Sequence, residues 1–269
     1  NVPDIPDWMK GDVGKGTEDV TREDIETPRI ALLQAVSNQV SEGEGRPGDF
    51  FHLLAEENLG RELRLIPILV TKAYLLFRPR ETGGGLLARS DDGVHWQPAD
   101  VSFEVQLPNK KNVTWRTTDT VKRSGLAAWG SSDPEDPTSL PAATKLMNVL
   151  CWLPDYPHLS PSVYSLQRSS LKPGKKFIGK LTMSQVPAFG QEFMVTSEKV
   201  VGQQGEYLQP VFTSNGFVKD RELYEHLRGL HDHFAQTGVR VQESGLDEEA
   251  AGEDYAAGST SAAAQNESF

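Results

Sequence analysis

The sequence predicts a β-rich α+β fold built around a closed or partly closed antiparallel barrel, with two or three added helices. Three observations predict this class. Short runs rich in Val, Ile, Leu and aromatic residues recur between Gly and Pro residues. One pair of runs has the pattern of a β-hairpin. The strand signals outnumber the helical ones and do not alternate with them, which argues against a doubly wound sheet.

The strongest strand signal covers residues 63–70, and the apolar character continues through residues 73–77. Because proline cannot donate to a ladder, Pro67 predicts that this strand lies at a sheet edge or contains a bulge. Residues 103–107 and 113–118 alternate on either side of a Pro-Asn-Lys-Lys-Asn turn, a pattern typical of a hairpin with a basic tip. Further strands are predicted at 177–183, 192–201 and 207–213.

Two segments have helical signals. Residues 141–153 begin with a proline suited to a first helical turn and end before a second proline. Residues 219–236 are followed by Gly238, a residue that commonly ends a helix. In both segments apolar residues recur at helical spacing. They are Leu146, Val149, Leu150 and Leu153 in the first segment and Leu223, Leu227, Leu230 and Phe234 in the second.

Charge divides the chain into three parts. The 38 acidic and 27 basic residues give a net charge of −11. Residues 1–27 hold eight acidic and three basic residues, and residues 243–269 hold seven acidic and no basic residues. Both ends have the composition of disordered segments, with little apolar content to bury. The sequence therefore predicts a single β-rich domain over residues 28–242 between two flexible acidic ends.

Several function classes find no support in the sequence. The sequence contains no run of about 18 apolar residues, the length expected of a membrane-spanning helix. The single Cys151 excludes an internal disulfide framework, and its apolar neighbours indicate a buried small hydrophobe. Gly83–Gly85 lacks the Gly-Lys-Ser/Thr sequence of a phosphate loop, and Asp91-Asp92-Gly93 is typical of a turn. We expect a protein without enzymatic activity, cofactor, metal or membrane partner, located in the cytoplasm, or in the host cytoplasm if viral.

The middle of the chain combines basic and aromatic residues. Residues 105–180 hold eleven basic and five acidic residues. Single-stranded nucleic acid is bound by this combination, because cations follow the phosphates while exposed rings stack on unpaired bases. Each tryptophan could equally be a core residue, with the lysines only solvating the surface. The candidate DNA-binding residues are Lys110, Lys111, Trp115, Arg116, Lys122, Arg123, Trp129, Arg168, Lys172, Lys175, Lys176 and Phe177.

The C-terminal tail is acidic, rich in Gly, Ala and Ser, and ends in an aromatic residue. It resembles the tail of bacterial and bacteriophage single-stranded DNA-binding proteins. The resemblance implies an OB-fold barrel as the body, and a tail that docks replication or recombination proteins and occupies the basic groove when DNA is absent. This tail departs from the pattern in that residues 258–266 dilute its acids. The matching partner-binding candidates are Asp247, Glu248, Glu249, Glu253, Asp254, Glu267 and Phe269.

A second resemblance covers most of the body. Series such as Thr27-Pro28-Arg29-Ile30, Gly48-Asp49-Phe50-Phe51 and Ser165-Leu166-Gln167-Arg168-Ser169 look like parts of uncharacterised bacteriophage proteins. Some of those proteins are associated with phage DNA replication. The resemblance implies a viral origin without assigning a role to any residue.

These observations together predict a non-catalytic protein that coats single-stranded DNA during phage replication or recombination. The alternative is a structural or assembly interaction protein of a virus, without nucleic-acid binding. A nuclease would need carboxylates clustered around a metal, and the sequence offers no convincing cluster outside the acidic ends. The oligomeric state, including a homo-oligomer, and the choice between DNA and RNA stay open.

Overall fold

The structure, a computed structural model, describes residues 26–202 and 205–242, together with Pro6, Trp8 and Gly16. Strands dominate the described residues, which confirms the predicted β-rich class. The elements are β1 (Arg29–Leu32), α1 (Asn38–Ser41), β2 (Phe50–His52), β3 (Glu57–Gly60), β4 (Leu63–Phe77), β5 (Leu86–Ser90), β6 (Ser102–Gln106), β7 (Asn112–Arg116), α2 (Val121–Ser124), β8 (Ala143–Trp152), β9 (Ser162–Gln167), α3 (Leu171–Met183), β10 (Gln191–Gly202), β11 (Gly205–Phe217) and α4 (Arg221–Thr237).

The main sheet has nine strands. Eight of them follow the order β11-β10-β4-β8-β9-β1-β2-β3, and β5 pairs with the far end of β4. The pairs are antiparallel except for β1 and β9, which are parallel. The strands predicted at 192–201 and 207–213 are present as β10 and β11. The predicted hairpin is present as β6 and β7, which form a separate two-stranded sheet.

The sheet curls into a half-barrel whose opening is bridged by side chains. Gln34, just after β1, donates from Nε2 to the Leu208 carbonyl of β11 at 3.0 Å. Its Oε1 accepts from the Leu208 N–H at 2.9 Å, so one side chain takes the place of a strand partner. Farther along β11, Lys180 Nζ donates to the Phe212 carbonyl at 3.2 Å. These bonds occupy backbone groups of β11 that would otherwise be open to another chain.

Pro67 lies inside the long strand β4, which pairs with β10 on one side and β8 on the other. The register between β4 and β8 shifts between Pro67 and Leu69. Of the two predicted possibilities, the bulge is therefore confirmed and the edge position is wrong. The missing proline N–H is accommodated where the ladder is already interrupted.

The inside of the half-barrel holds the largest core, here called the barrel core. Helix α3 fills it with Phe177 and Leu181. The ring of Phe177 stacks on Phe212 with centroids 4.2 Å apart and meets Phe193 edge-on at 4.9 Å. The predicted strand at 177–183 is wrong, because this segment belongs to α3. Gly174, Phe177 and Leu181 are buried at helical spacing, a period that begins before the predicted strand.

The predicted helix at 141–153 is also wrong, because residues 143–152 form strand β8. Alternate residues of β8 face the two sides of the sheet. Met147 and Val149 belong to the barrel core, whereas Leu150 belongs to the core on the convex face. A strand buried on both faces is a nearly continuous apolar run. Such a run also contains apolar residues at helical spacing, so periodicity alone cannot separate the two structures.

The predicted helix at 219–236 is present as α4. Asp220 caps it by accepting from the N–H groups of Glu222 and Leu223 at 2.8 and 3.3 Å. Its buried face covers the convex side of the sheet. In the part of the chain that the structure describes, no helix has the length and apolar character needed to cross a membrane. The convex core consists of Ile66, Ile68, Leu150, Val163, Phe189, Leu227, Leu230, Phe234, Val239 and Val241.

Residues 86–142 form a smaller unit, here called the hairpin module, at the far end of β4 and β8. It contains β5, the β6–β7 hairpin and α2. Trp96 and Trp115 lie in its core, which also includes Leu76 of β4 and Ala143 of β8. The module is therefore anchored on the main sheet by apolar packing.

His52 makes the stability of the fold depend on pH. Its Nδ1 accepts from the Ala55 N–H at 3.0 Å, which leaves Nε2–H facing Ser162 Oγ at 3.2 Å. Burial lowers the pKa of His52 below its ordinary value of 6.5. The unfolded chain then binds this proton more readily, so stability present above about pH 6.5 is lost as the pH falls below it.

We therefore expect the free energy of unfolding, measured by urea titration, to decrease between about pH 7 and pH 5. The decrease should be smaller in His52→Gln, whose side chain does not titrate. An identical slope in the variant would assign the pH dependence to other groups.

Candidate nucleic-acid interface

The concave face of β4 and β8 carries basic residues between two hydrophobic cores. Along β4, side chains two residues apart share a face. Val70 packs against the barrel core and Leu76 belongs to the core of the hairpin module. Between them on the same face are Lys72 and Tyr74. On this strand the apolar face is therefore interrupted where the two cores meet.

Strand β8 shows the same interruption. Met147 belongs to the barrel core and Ala143 to the core of the hairpin module, and Lys145 lies between them. In the register of the two strands, Tyr74 is opposite Lys145 and Lys72 is opposite Met147. Residues directly opposite each other share a face, so the two lysines and the tyrosine are neighbours.

A third lysine comes from α3, on the opposite wall of this interruption. Burial lowers the pKa of Lys145 below its ordinary value, and the positive charges of Lys72 and Lys175 lower it further. Lys72 is the diagonal neighbour of Lys145 in the ladder, and Lys175 lies on the helix that packs against β8. We call Lys72, Tyr74, Lys145 and Lys175 the basic cleft.

The proximity of like charges indicates the chemistry of the site. Lys145 is partly buried whereas Lys72 and Lys175 are exposed, and these like charges repel one another in the free protein. An anion bound among them replaces this repulsion with attraction. A low-dielectric wall makes the electrostatic free energy of anion binding more favourable. The basic cleft is therefore suited to a polyanion such as a nucleic-acid backbone.

The hairpin module forms one wall of the cleft. The Ala143 N–H donates to the Leu126 carbonyl at 2.9 Å, and the Ala142 N–H donates to Ser131 Oγ at 2.9 Å. The loop from 126 to 131 is therefore fixed two residues from Lys145. Trp129, in the middle of this loop, has 53% of its surface exposed.

The predicted basic residues of the hairpin module differ in how free they are to contact a phosphate. Lys110 and Arg116 are exposed on the β6–β7 hairpin, and Lys122 is exposed on α2. Lys111 is instead neutralised by acidic neighbours: its Nζ lies 2.5 Å from Asp133 Oδ1 and 2.8 Å from Glu135 Oε2. The exposed Arg123 lies 3.4 Å from Asp119 in an ion pair that solvent screens.

The three predicted stacking rings have different environments. Trp115 is only 4% exposed, and its Nε1 donates to the Ser132 carbonyl at 3.1 Å. Phe177 is only 1% exposed, inside the barrel core. The expectation that these two rings offer a free face is therefore wrong, because both complete a hydrophobic core. Trp129 keeps the exposure that stacking requires.

The predicted basic residues after β9 lie on the other side of the cleft. Gln167 at the end of β9 is opposite Leu146, and Arg168 begins the short helical turn that follows this strand. Lys172, Lys175 and Lys176 are exposed on α3. Of the two predicted basic segments, the one on α3 therefore lies on a helix that packs against β8.

The floor of the cleft is not predicted from the sequence. Lys72 falls between the two apolar runs of the predicted strand, and Lys145 falls in the segment predicted as a helix. The alternation Val70-Lys72-Tyr74-Leu76 was the available signal, since a polar residue on an apolar strand face marks a break in a core. No comparable pattern in the sequence marks Lys145, because its position in the cleft depends on the register between β4 and β8.

Two predicted non-catalytic features agree with the structure. Cys151 is buried, and burial raises the pKa of its thiol to about 12. The Asp91-Asp92-Gly93 segment is a turn. Burial alone would raise the pKa of Asp92, but hydrogen bonds from His95, Val94 and Ser90 outweigh it and lower the pKa to about 2.

The predicted partner-binding residues of the tail lie outside the described residues. They are Asp247, Glu248, Glu249, Glu253, Asp254, Glu267 and Phe269. The described chain ends beside its own beginning: the Gln242 N–H donates to the Thr27 carbonyl at 3.1 Å, and Arg89 donates to the Val241 carbonyl at 3.2 Å.

Comparison with protein families gives a match over most of the chain. The model of the family described as Pam3 phage gp34-like protein matches residues 1–240. The comparisons with curated proteins and with solved structures gave no match.

Proposed function

The chain belongs to the Pam3 phage gp34-like protein family, and on this premise we propose that it is a non-catalytic single-stranded DNA-binding protein of phage replication or recombination. The observation that carries the proposal is the basic cleft, in which Lys72 and Lys145 are diagonal neighbours on β4 and β8 and Lys175 lies on the helix packed against β8. Its place of action would be the host cytoplasm.

Single strands fit this site better than duplexes for a physical reason. Lysines follow the phosphates of any nucleic acid, and this contribution is independent of sequence. Only an unpaired base can add stacking on an exposed ring, which contributes about 1–3 kcal/mol per base. Trp129 offers such a ring on the wall that carries Lys122 and Arg123. A strand running along the cleft could therefore meet cations and a stacking surface together.

The relation to the OB-fold is part of the same proposal. Proteins of that fold bind single strands on one face of a curled, partly open barrel. The half-barrel described here has the curl and a concave basic face. Its nine strands and its parallel β1–β9 pair depart from the usual five-stranded arrangement.

A fluorescence titration with oligo-dT at several salt concentrations tests the proposal. We expect tight binding that weakens with salt and quenches tryptophan fluorescence. Binding without quenching would support DNA binding by the basic cleft but contradict stacking on Trp129. An absence of binding at low salt, with or without the tail, would end the proposal and leave the alternative of a viral assembly protein.

We also propose that the acidic tail recruits replication or recombination proteins and competes with DNA for the cleft. The tail begins after Gln242, beside Arg89 of β5. Ser90 of β5 is opposite Tyr74, and Tyr74 is opposite Lys145. Two strand spacings of about 4.8 Å separate those positions. Linkers of this length and of Gly- and Ser-rich composition span roughly 30 Å on average, and we propose that the tail reaches the lysines.

Deleting residues 243–269 should therefore strengthen oligo-dT binding. The tethered acids have a high effective concentration near the cleft, so their removal should lower the Kd about 3- to 10-fold at low salt. Screening should abolish the difference near 1 M salt, where the Debye length is about 3 Å. A full-length variant with the seven tail acids replaced by Asn or Gln separates charge from length. Equal affinities for the deletion and the intact chain would remove the competition claim.

A further inference from the structure

Tyr74 lies at the centre of the basic cleft, with a lysine on either side. Lys72 precedes it by two residues on the same face of β4, and Lys145 is directly opposite on β8. Lys72 and Lys145 are diagonal neighbours in the ladder, so their Cα atoms are about 7–8 Å apart. The line that joins the two lysines runs between Tyr74 and Met147, so a strand held by both lysines passes beside the tyrosine ring.

The surroundings of Tyr74 keep its ring in one place. One part of the side chain packs against the core of the hairpin module, and the residue as a whole is partly buried. Its neighbours on the same face include Lys72, two residues earlier on β4, and Lys145, directly opposite on β8. A ring held by packing loses little conformational entropy when it binds, and tyrosine has only two side-chain torsions to fix.

We propose that Tyr74 stacks on an unpaired base and thereby gives the cleft its preference for single strands. This inference rests on the proposed function and deepens it. Lys72 and Lys145 would hold the phosphates that flank the stacked base, and Lys175 would hold the strand from the side of α3. In a duplex the bases are already stacked on one another, so only the lysine contacts would remain.

Three variants test the role of the ring. Tyr74→Leu keeps apolar bulk against the hairpin module and removes the aromatic face, whereas Tyr74→Phe keeps the face. Phe103→Leu is the matched control, because Phe103 is also a partly buried aromatic residue packed on the same core. Thermal unfolding of all three variants checks that each one is folded before its affinity is compared.

Affinities for oligo-dT and for a duplex of equal length give the result. We expect Tyr74→Leu to weaken oligo-dT binding about 5- to 100-fold with little change for the duplex. Tyr74→Phe and Phe103→Leu should bind like the parent. An equal loss for both DNA forms, or no loss for either, would overturn the role of Tyr74.

Photocrosslinking of the unaltered protein provides a second measurement that does not depend on a variant. An oligonucleotide containing 5-iodouracil should crosslink to Tyr74, identified by mass spectrometry of the peptide. Binding with crosslinks only elsewhere, such as at Trp129, would overturn this inference and leave the proposed function standing. A parent protein that does not bind oligo-dT at low salt would overturn both.

Discussion

Replacing Lys72, Lys145 and Lys175 together by glutamine should weaken oligo-dT binding at low salt by about 100-fold or more. Each lysine lost removes one charge-assisted phosphate contact, worth about 1.5–3 kcal/mol before losses to solvent screening. The dependence of log K on log salt should become shallower by about 2, because each phosphate contact on a single strand contributes about 0.7. A salt series of fluorescence titrations measures both quantities.

The matched control changes the same net charge on the opposite side of the sheet. Lys219, Arg221 and Arg228 lie on or next to α4, which covers the convex face. Their combined replacement by glutamine should reduce binding only slightly, through the overall charge. Equal losses for the two triple variants would show that the cleft has no special role. The cleft variant should be at least as stable as the parent, because its lysines repel one another.

Replacing Phe177 by alanine should destabilise the fold by about 3–5 kcal/mol, the usual cost of truncating a buried aromatic residue. The ring is only 1% exposed and contacts Phe193 and Phe212 in the barrel core. The free energy of unfolding is measured by urea titration. For a domain of this size the Tm should fall by roughly 6–20 °C.

Lys176→Ala is the control for Phe177→Ala, because the neighbouring side chain is exposed on the same helix. Its stability should stay within about 0.5 kcal/mol of the parent. The two residues were both predicted to contact DNA, and the structure separates them. If Phe177→Ala unfolded at the same urea concentration as the parent, the placement of α3 inside the half-barrel would be wrong.

Local patterns in the sequence were sufficient for several elements. The β6–β7 hairpin follows from alternation on either side of a turn, and α4 follows from four apolar residues at helical spacing with a glycine beyond the end. The missing N–H of Pro67 restricts β4 to an edge position or a bulge, and the pairing with β8 decides for the bulge. For the hairpin and α4 the deciding physics lies within about a dozen residues. The acidic ends and the surplus of basic residues in the middle were also visible from composition alone.

Tertiary structure decided the elements whose local pattern is ambiguous. Strand β8 is buried on both faces, so its run of apolar residues fits a helix as well as a strand. Whether an aromatic residue is a stacking surface or a core residue also depends on distant packing: Trp115 and Phe177 are buried, whereas Trp129 is exposed.

The sequence by itself determined the β-rich class, the charge distribution and the basic residues of α3. Only the tertiary structure decided the site, because Lys72 and Lys145 are far apart in the chain and become neighbours through the register of β4 and β8. The same pairing of β4 with β8 places Tyr74 beside both lysines. Charges attract a polyanion according to their separation in space, and pairing between distant strands sets that separation.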